Sequence, residues 1–285
     1  MIVKRKLKLS DAILGIDVGG TNIKGSLVKN GKAIKSLSIP TKADSSRKVI
    51  IDRIYQVVDS IFTKNVKGIG FGFPAPIEGG LAREINNIPN LNGFDIKKEI
   101  EKKYKVKCAV ENDAKCFTYA QAKYGQGKGK SIVCGVTLGT GLGVGVVIEN
   151  KILTGKNGVL GELSRIPYRD SILEDYTSGK FFLRNYRQGP KEVMEFANAG
   201  HAKALKAYEE FGRYLGDAVA IIVAAYDPDI IIFGGKISQS YDLFSKTMFE
   251  KAKMRMFKRS FDRLTVKVTK MRHSSEKGAA ALFFQ

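Results

Sequence analysis

The chain has 285 residues, 44% of them hydrophobic, with 48 Lys+Arg against 28 Asp+Glu and a formal charge of +20. That apolar content can bury a core larger than one average domain, which excludes a disordered chain, and no apolar run approaches the ~18 residues of a membrane-spanning helix. Three cysteines, Cys108, Cys116 and Cys134, show neither a CxxC pair nor a metal spacing, and the basic residues 1–10 lack the apolar stretch of a secretory signal, so a reducing, cytoplasmic setting without disulfides is expected.

Residues 12–18 read as a buried strand running into Gly19-Gly20-Thr21-Asn22, after which 23–28 resume an apolar segment. Asn30-Gly31 predicts a hairpin turn before residues 33–39. Within 42–62, apolar residues at Val49, Ile50, Ile54, Val57, Val58 and Ile61 follow a helical period. A strand over 68–73 ends at Pro74, a charged helix follows at 95–104, and a strand over 106–110 leads into Glu111-Asn112-Asp113 and a helix over 114–124. Strands are expected at 131–137 and 144–148, around Leu138-Gly139-Thr140-Gly141-Leu142-Gly143. Helices follow at 191–199 and 202–225, a strand at 229–233 before Gly234-Gly235, a strand at 264–269 and a closing helix at 277–284. A glycine-threonine turn thus occurs once in each half, which predicts two α/β lobes of duplicated design with a cleft between them.

Four segments carry chemistry. In the first turn, Gly19 and Gly20 let the backbone approach a phosphate, Thr21 adds a hydroxyl, Lys24 a charge, and Asp17 can hold Mg²⁺ directly or through water. An ordinary hairpin would use the same glycines. The second turn, Gly139-Thr140-Gly141, has these ingredients again. No Gly-Lys-Ser/Thr follows it, and it leads to a strand rather than a helix, so it is neither a P-loop nor a dinucleotide fingerprint. Two such turns fit a nucleotide whose phosphates are held from both lobes. Gly234 and Gly235 can admit a flat adenine, or simply turn the chain. Asn112 beside Asp113 can bind sugar hydroxyls and accept the proton of an attacking hydroxyl; either residue can also cap the helix that follows.

The positive charge is spread along the whole chain, and no nucleic-acid-binding pattern accompanies it. A small phosphorylated substrate is a sufficient anionic partner, and neither nucleic acid nor a membrane is expected as the main ligand.

In this order, ILGIDVGGTNIKGSLV, GIGFGFPAPIEGG, IPNLNGF, VENDAKCFTYAQA, VTLGTGLGVGVVIENKILTG, GVLGEL, LEDYTSG and IIFGGKIS resemble the ROK family of sugar kinases and repressors, within the actin-like/hexokinase ATPase fold. The resemblance spans residues 13–238. It implies lobes at 1–112, completed by the helix at 275–285, and at 113–274. It also implies an ATP- and Mg²⁺-dependent kinase acting on a hexose or an N-acetylhexosamine, and a homodimer. Asp113 would be the base, and Asn112, Asn90, Glu162 and Glu174 would line the sugar pocket. Asp17, Gly19, Gly20, Thr21, Asn22, Lys24, Gly139, Thr140, Gly141, Gly234 and Gly235 would bind the nucleotide, with Asp17 near the metal. Many family members carry a zinc site built from a histidine and a Cys-rich segment. Here Arg165 stands at the histidine position and Arg169-Asp170-Ser171-Ile172 replaces the cysteines, so no structural zinc is expected. Arg165 would then contact the sugar or help position Glu174. His201 and His273 are expected to be a surface and a loop residue. The twelve residues before Ile13 are too few for a helix-turn-helix of the family's repressors. A catalytically degenerate sugar-binding or regulatory protein is the alternative.

Overall fold

The computed structural model describes residues 7–82 and 84–285. The start of the basic N-terminal stretch, residues 1–6, lies outside them. Strand β1 (Ala12–Val18) pairs antiparallel with β2 (Asn22–Lys29), and β2 with β3 (Lys32–Pro40). Asn30 and Gly31 join β2 to β3 with φ of 50° and 72°, the left-handed pair that a tight hairpin requires. Helix α1 (Arg47–Ile61) buries Ile50, Ile54, Val57, Val58 and Ile61, the apolar stripe expected from its period. Strand β4 (Val66–Phe73), the short hairpin β5 (Ile77–Glu78) and β6 (Leu81–Ala82), helix α2 (Ile96–Tyr104), strand β7 (Lys107–Asn112) and helix α3 (Asp113–Tyr124) follow.

Next come β8 (Ile132–Leu138), β9 (Leu142–Ile148), β10 (Lys151–Ile152) and the small hairpin β11 (Pro167–Tyr168) and β12 (Ser171–Ile172). Helices α4 (Leu173–Thr177), α5 (Gly179–Tyr186), α6 (Pro190–Asn198) and α7 (Ala202–Tyr226) precede β13 (Ile230–Gly234). Helices α8 (Tyr241–Arg255) and α9 (Lys258–Arg263), strand β14 (Val266–Val268) and helix α10 (Ser274–Ala281) close the chain.

The protein is an α/β protein of two units: the chain up to Lys128 with Asn150–Leu160 and Met271–Gln285, and Gly129–Glu149 with Gly161–Lys270. In the first, the sheet order is β3-β2-β1-β4-β7, with β4 parallel to both β1 and β7. In the second, the order β9-β8-β13-β14 repeats that plan: an antiparallel hairpin, then parallel strands.

The division differs from the expected boundary after Asn112, because α3 belongs to the first unit. It packs on α10, which in turn lies on β1 and β4. Glycines make that approach possible. A β-carbon at Gly15 or Gly70 would overlap the backbone oxygens of Glu276 or Ala279, and one at Gly278 would overlap that of Cys116. Isoleucine, valine and phenylalanine from α1 and the strands, including Ile54, Val57, Ile69 and Phe71, fill the rest of this core. The second unit is centred on α7 and α8, with Tyr208, Phe211, Phe244, Phe181 and Phe182 in mutual ring contact. Among the described residues, no helix is long and apolar enough to cross a membrane.

Candidate functional site

In the first unit the expected residues gather where the parallel strands end. Asp17, the penultimate residue of β1, is in register with Gly72 of β4, which is in register with Glu111 of β7. Glu111 therefore lies two strand spacings, roughly 10 Å, from Asp17, and Asp113 follows just beyond the end of that strand. Gly72 lies beneath it: a β-carbon there would be 3.3 Å from Asp113 Cα. Open α/β sheets present their ligand sites at such carboxyl ends.

The local sequence explains how Asp113 is presented. Asn112 is the N-cap of α3, its side chain accepting from Lys115 N at 3.1 Å, and its amide nitrogen donates to Ala75 O at 3.3 Å. Asp113 opens the helix, where a carboxylate is favoured by the helix dipole, and it accepts from Ala114 N at 2.7 Å. Asn112 is buried whereas Asp113 is half-buried, so the aspartate is the one turned toward solvent. Behind them Glu111 accepts from Asn112 N at 2.8 Å, and Lys115, fully buried, places Nζ 4.0 Å from Glu111 Oε1 and 2.6 Å from Gly158 O. Burial pushes the Glu111 carboxyl above the ordinary carboxylate range, against the pull of the Asn112 N–H and Lys115.

Asp17 is buried and ion-paired with Lys24, which faces it across the hairpin with Nζ at 3.0 Å. Desolvation raises the Asp17 carboxyl, Lys24 opposes this, and nearby Glu276 adds to it. Lys24 is held protonated chiefly by Asp17, with Glu276 and Asp113 contributing.

The bend between them is closed by Gly19 N donating to Asn22 O, and it is anchored by Thr41, which donates to Thr21 O and Gly19 O. Among the described residues, the Gly20 and Thr21 N–H groups make no bond within the chain. Such adjacent unused donors form an anion-accepting concavity.

The second unit repeats the device. Three residues again separate the two strands, although Gly139 N donates to Gly141 O, a closure one residue tighter than in the first bend; the Thr140 and Gly141 N–H groups are likewise unused among the described residues. Gly179 N holds the Gly139 carbonyl at 2.8 Å. Gly234 is in register with Thr137, and Gly235, at φ 84°, turns so close to Leu138 O that a β-carbon would overlap it. The two glycines thus lie beside the strand that feeds this bend.

Glu174 lies behind the same bend. Its carboxylate accepts from Leu142 N at 3.0 Å and from Lys180 Nζ at 2.6 Å, and Gly141 has no room for a side chain against it. Glu162 caps the single 3₁₀ turn that ends at Arg165, whose side chain is exposed and makes no ion pair among the described residues. In the first unit, Asn90 is exposed in the 3₁₀ turn Pro89–Leu91 and donates to Ser45 O at 2.9 Å; its carbonyl accepts from Arg47. Its amide therefore braces the start of α1 instead of joining Asn112 and Asp113.

The segment that carries Glu174 is held without Arg165. Tyr168, Tyr176 and Tyr214 pack edge to face, the Arg169 guanidinium lies 4.8 Å from the Tyr214 ring, and Tyr168 donates to Asp217 at 2.6 Å. Tyr176 and Arg184 both donate to Asp170. Among the described residues no cluster of His, Cys, Asp and Glu is arranged to hold a metal. Cys108, Cys116 and Cys134 are buried free thiols, and burial pushes all three up, Cys134 to about 12.

Two contributors escaped the sequence reading. Glu276 did so because its helix starts at Ser274, a turn earlier than its apolar residues suggest; its carboxylate accepts from His273 Nδ1 at 3.1 Å when that ring nitrogen carries the hydrogen. Lys115 did so because a lysine three residues past a helix cap normally faces water.

A family model described as ROK family matches residues 13–285. The chain is 28% identical to the glucokinase of Thermotoga maritima over 280 residues, covering 86% of this chain and 87% of that one. It is 29% identical to the N-acetyl-D-glucosamine kinase of Vibrio cholerae over 266 residues, covering 82% and 87%. A ROK family glucokinase from Streptomyces griseus, solved in complex with glucose and AMPPNP, shares the fold with a TM-score of 0.82 at 23% identity, over 95% of this chain and 98% of that one. The chain belongs to the ROK family.

Proposed function

We propose that this protein transfers the γ-phosphoryl group of ATP to a hydroxyl of a hexose or an N-acetylhexosamine. The observation that carries this reading is the placement of Asp113: a half-buried carboxylate on the first residue of α3, at the ends of the parallel strands that also present Asp17 and the first glycine bend. Relatives named glucokinase and N-acetyl-D-glucosamine kinase support the two substrate classes.

Asp113 accepts the proton of the sugar hydroxyl as its oxygen attacks the γ-phosphorus; the bond from that phosphorus to the bridging oxygen breaks, and ADP leaves. The cap bonds of Asn112 hold the segment, so Asp113 does not have to be reoriented during the reaction. With its cap bonds kept, the Asn112 amide has a second hydrogen for a neighbouring hydroxyl, and Glu162 is assigned to the sugar on the family resemblance alone. A carboxylate has about four lone-pair positions, so Glu174 can accept a sugar hydroxyl while keeping Leu142 N and Lys180. Backbone N–H groups of Gly20, Thr21, Thr140 and Gly141 stabilise charge on the phosphates at no cost in reorganisation. Lys24 adds a cation to the first bend, and Gly235, exposed and without a side chain next to the buried Gly234, leaves room for the adenosine.

Asp17 is the residue that would hold Mg²⁺, directly or through water. The donor set fits, because magnesium takes one or two carboxylates and completes its shell with phosphate oxygens and water, and Glu276 provides a second carboxylate close by. When bound, the ion neutralises charge on the β- and γ-phosphates.

The test is ADP release from Mg-ATP against a panel of hexoses, hexosamines and N-acetylhexosamines, with wild type and Asp113→Asn. The amide keeps an oxygen for the Ala114 N–H but cannot take a proton, so kcat should fall about 10²–10⁴-fold with sugar binding retained. Sugar phosphate formed by Asp113→Asn at the wild-type rate would refute the base assignment.

A further inference from the structure

Away from these residues, the second unit has a groove of about 500 Å³ along one face of α7. Lys203, Lys206, Glu210, Arg213 and Asp217 recur at intervals of three and four, which places them on one face of the helix. The opposite face, including Ala204, Ala207, Phe211 and Leu215, is buried in the core. Arg169, at the turn of the β11–β12 hairpin, Lys251 of α8, Tyr186 and Tyr214 complete the lining. The groove therefore carries five cationic side chains and two carboxylates.

Both carboxylates are already used. Asp217 accepts from Tyr168 at 2.6 Å and pairs with Arg255 at 3.1 Å and Lys251 at 3.8 Å. Glu210 accepts from Tyr214 at 3.0 Å and Tyr186 at 3.3 Å. The cations are not matched in the same way. Lys203 and Lys206 have no ion pair among the described residues, and Arg213 reaches only the exposed Glu209 at 3.7 Å. Exposed pairs of that kind contribute little. The Arg169 guanidinium lies 4.8 Å from the Tyr214 ring centroid, and its hydrogen bond with Tyr168 takes up only part of a five-donor set. An excess of positive charge in a concavity focuses its field on anions, and this volume is that of a small-molecule site, not of a macromolecular surface.

We propose that this groove is a second ligand site, distinct from the reacting centre, for a small molecule bearing one or more phosphate groups. Arg169 supplies a forked donor, Lys203, Lys206 and Arg213 supply the charge, and Tyr186 and Tyr214 form the wall. Two sources share this chemistry: a phosphorylated sugar and an inorganic oligophosphate.

Calorimetry at about 150 mM salt, where attraction between separated surface charges is largely screened, tests the site. The full chain, saturated with ADP, is titrated with tripolyphosphate, with glucose 6-phosphate and with inorganic phosphate; the tightest binder identifies the source. Wild type should take up one equivalent. Lys203→Ala/Lys206→Ala/Arg213→Ala should bind at least tenfold more weakly while keeping its melting temperature and its ATP-dependent activity. Lys203→Gln/Lys206→Gln, which preserves the side-chain stems, should show the same direction of change. Equal affinity in wild type and variants would overturn the proposal. So would uptake that never saturates at one equivalent and grows with the length of a polyphosphate or DNA strand, because that is the general attraction of a chain of charge +20. The readout is a difference in binding, so it stands or falls independently of the sugar-kinase reading.

Discussion

Replacing Lys115 with methionine should loosen the segment that presents Asp113, and by an amount that depends on pH. The ammonium is fully buried in α3, donating to Gly158 O at 2.6 Å and facing Glu111 at 4.0 Å. Methionine fills the volume of the stem, so the loss is electrostatic and not a cavity. A charged donor on a carbonyl contributes about 1.5–3 kcal/mol, and removing one member of a buried ion pair costs about 3–5 kcal/mol. The wide spacing from Glu111 puts this pair at the low end, and about 3 kcal/mol is expected in total at neutral pH.

Glu111 makes the effect titrate. Its folded-state pKa is raised by burial, so its neutral form stabilises the fold below the unfolded value, and that stability is lost as pH rises through the folded pKa. Without Lys115 the folded pKa climbs further, and the variant suffers most where Glu111 would have to stay charged. At pH 8 the melting temperature should drop about 6–12 °C, taking roughly 2–4 °C per kcal/mol for a chain of this size. At pH 5 the deficit should be visibly smaller. Adding Glu111→Gln to Lys115→Met should recover part of the loss, since it removes the stranded carboxylate. A drop below about 2 °C, or one that is equal at both pH values and unrelieved by Glu111→Gln, would refute the reasoning.

Gly70→Ala would push a methyl group into the Ala279 carbonyl of α10, where the neighbour is backbone and cannot swing away. About 3 kcal/mol of destabilisation is expected from such overpacking, read as a shift in the denaturant midpoint, with hydrogen exchange in α10 accelerated. Arg165→Ala should leave the sugar KM and kcat within about twofold, because an exposed side chain without an ion pair has little to lose; a tenfold rise in KM would put Arg165 in the sugar pocket.

Local signals account for much of the architecture. The buried run 12–18, the Asn-Gly turn at 30–31 and the period of Ile50, Ile54, Val57, Val58 and Ile61 each occur where the structure has β1, the β2–β3 turn and α1. The hydrophobic effect acts through the same periods that define strands and helices, so these elements need no tertiary information. Short elements were different. Helix α4 and the hairpin β11–β12 are too short to show a period, and α5 is amphipathic over only eight residues; they are held by aromatic contacts, by local bonds to Asp170 and by the distant bond of Tyr168 to Asp217. The apolar residues of helix α10 mark it only from position 277; the resemblance set its start at 275, and nothing local marked Glu276 as a neighbour of Asp17.

What the amino-acid order determined by itself is the set of parts: two glycine bends of equal length, the Asn-Asp pair at a strand-to-helix junction, and the absence of cysteines near Glu174. The tertiary structure decided which parts are shared. It moved α3 into the first unit, because Gly15, Gly70 and Gly278 let α10 lie against the sheet and against α3. It also buried Lys115 and placed Glu174 against the second bend. Charge and hydrogen-bond partners are set by distance in space, and a linear pattern reports distance only between near neighbours in the chain.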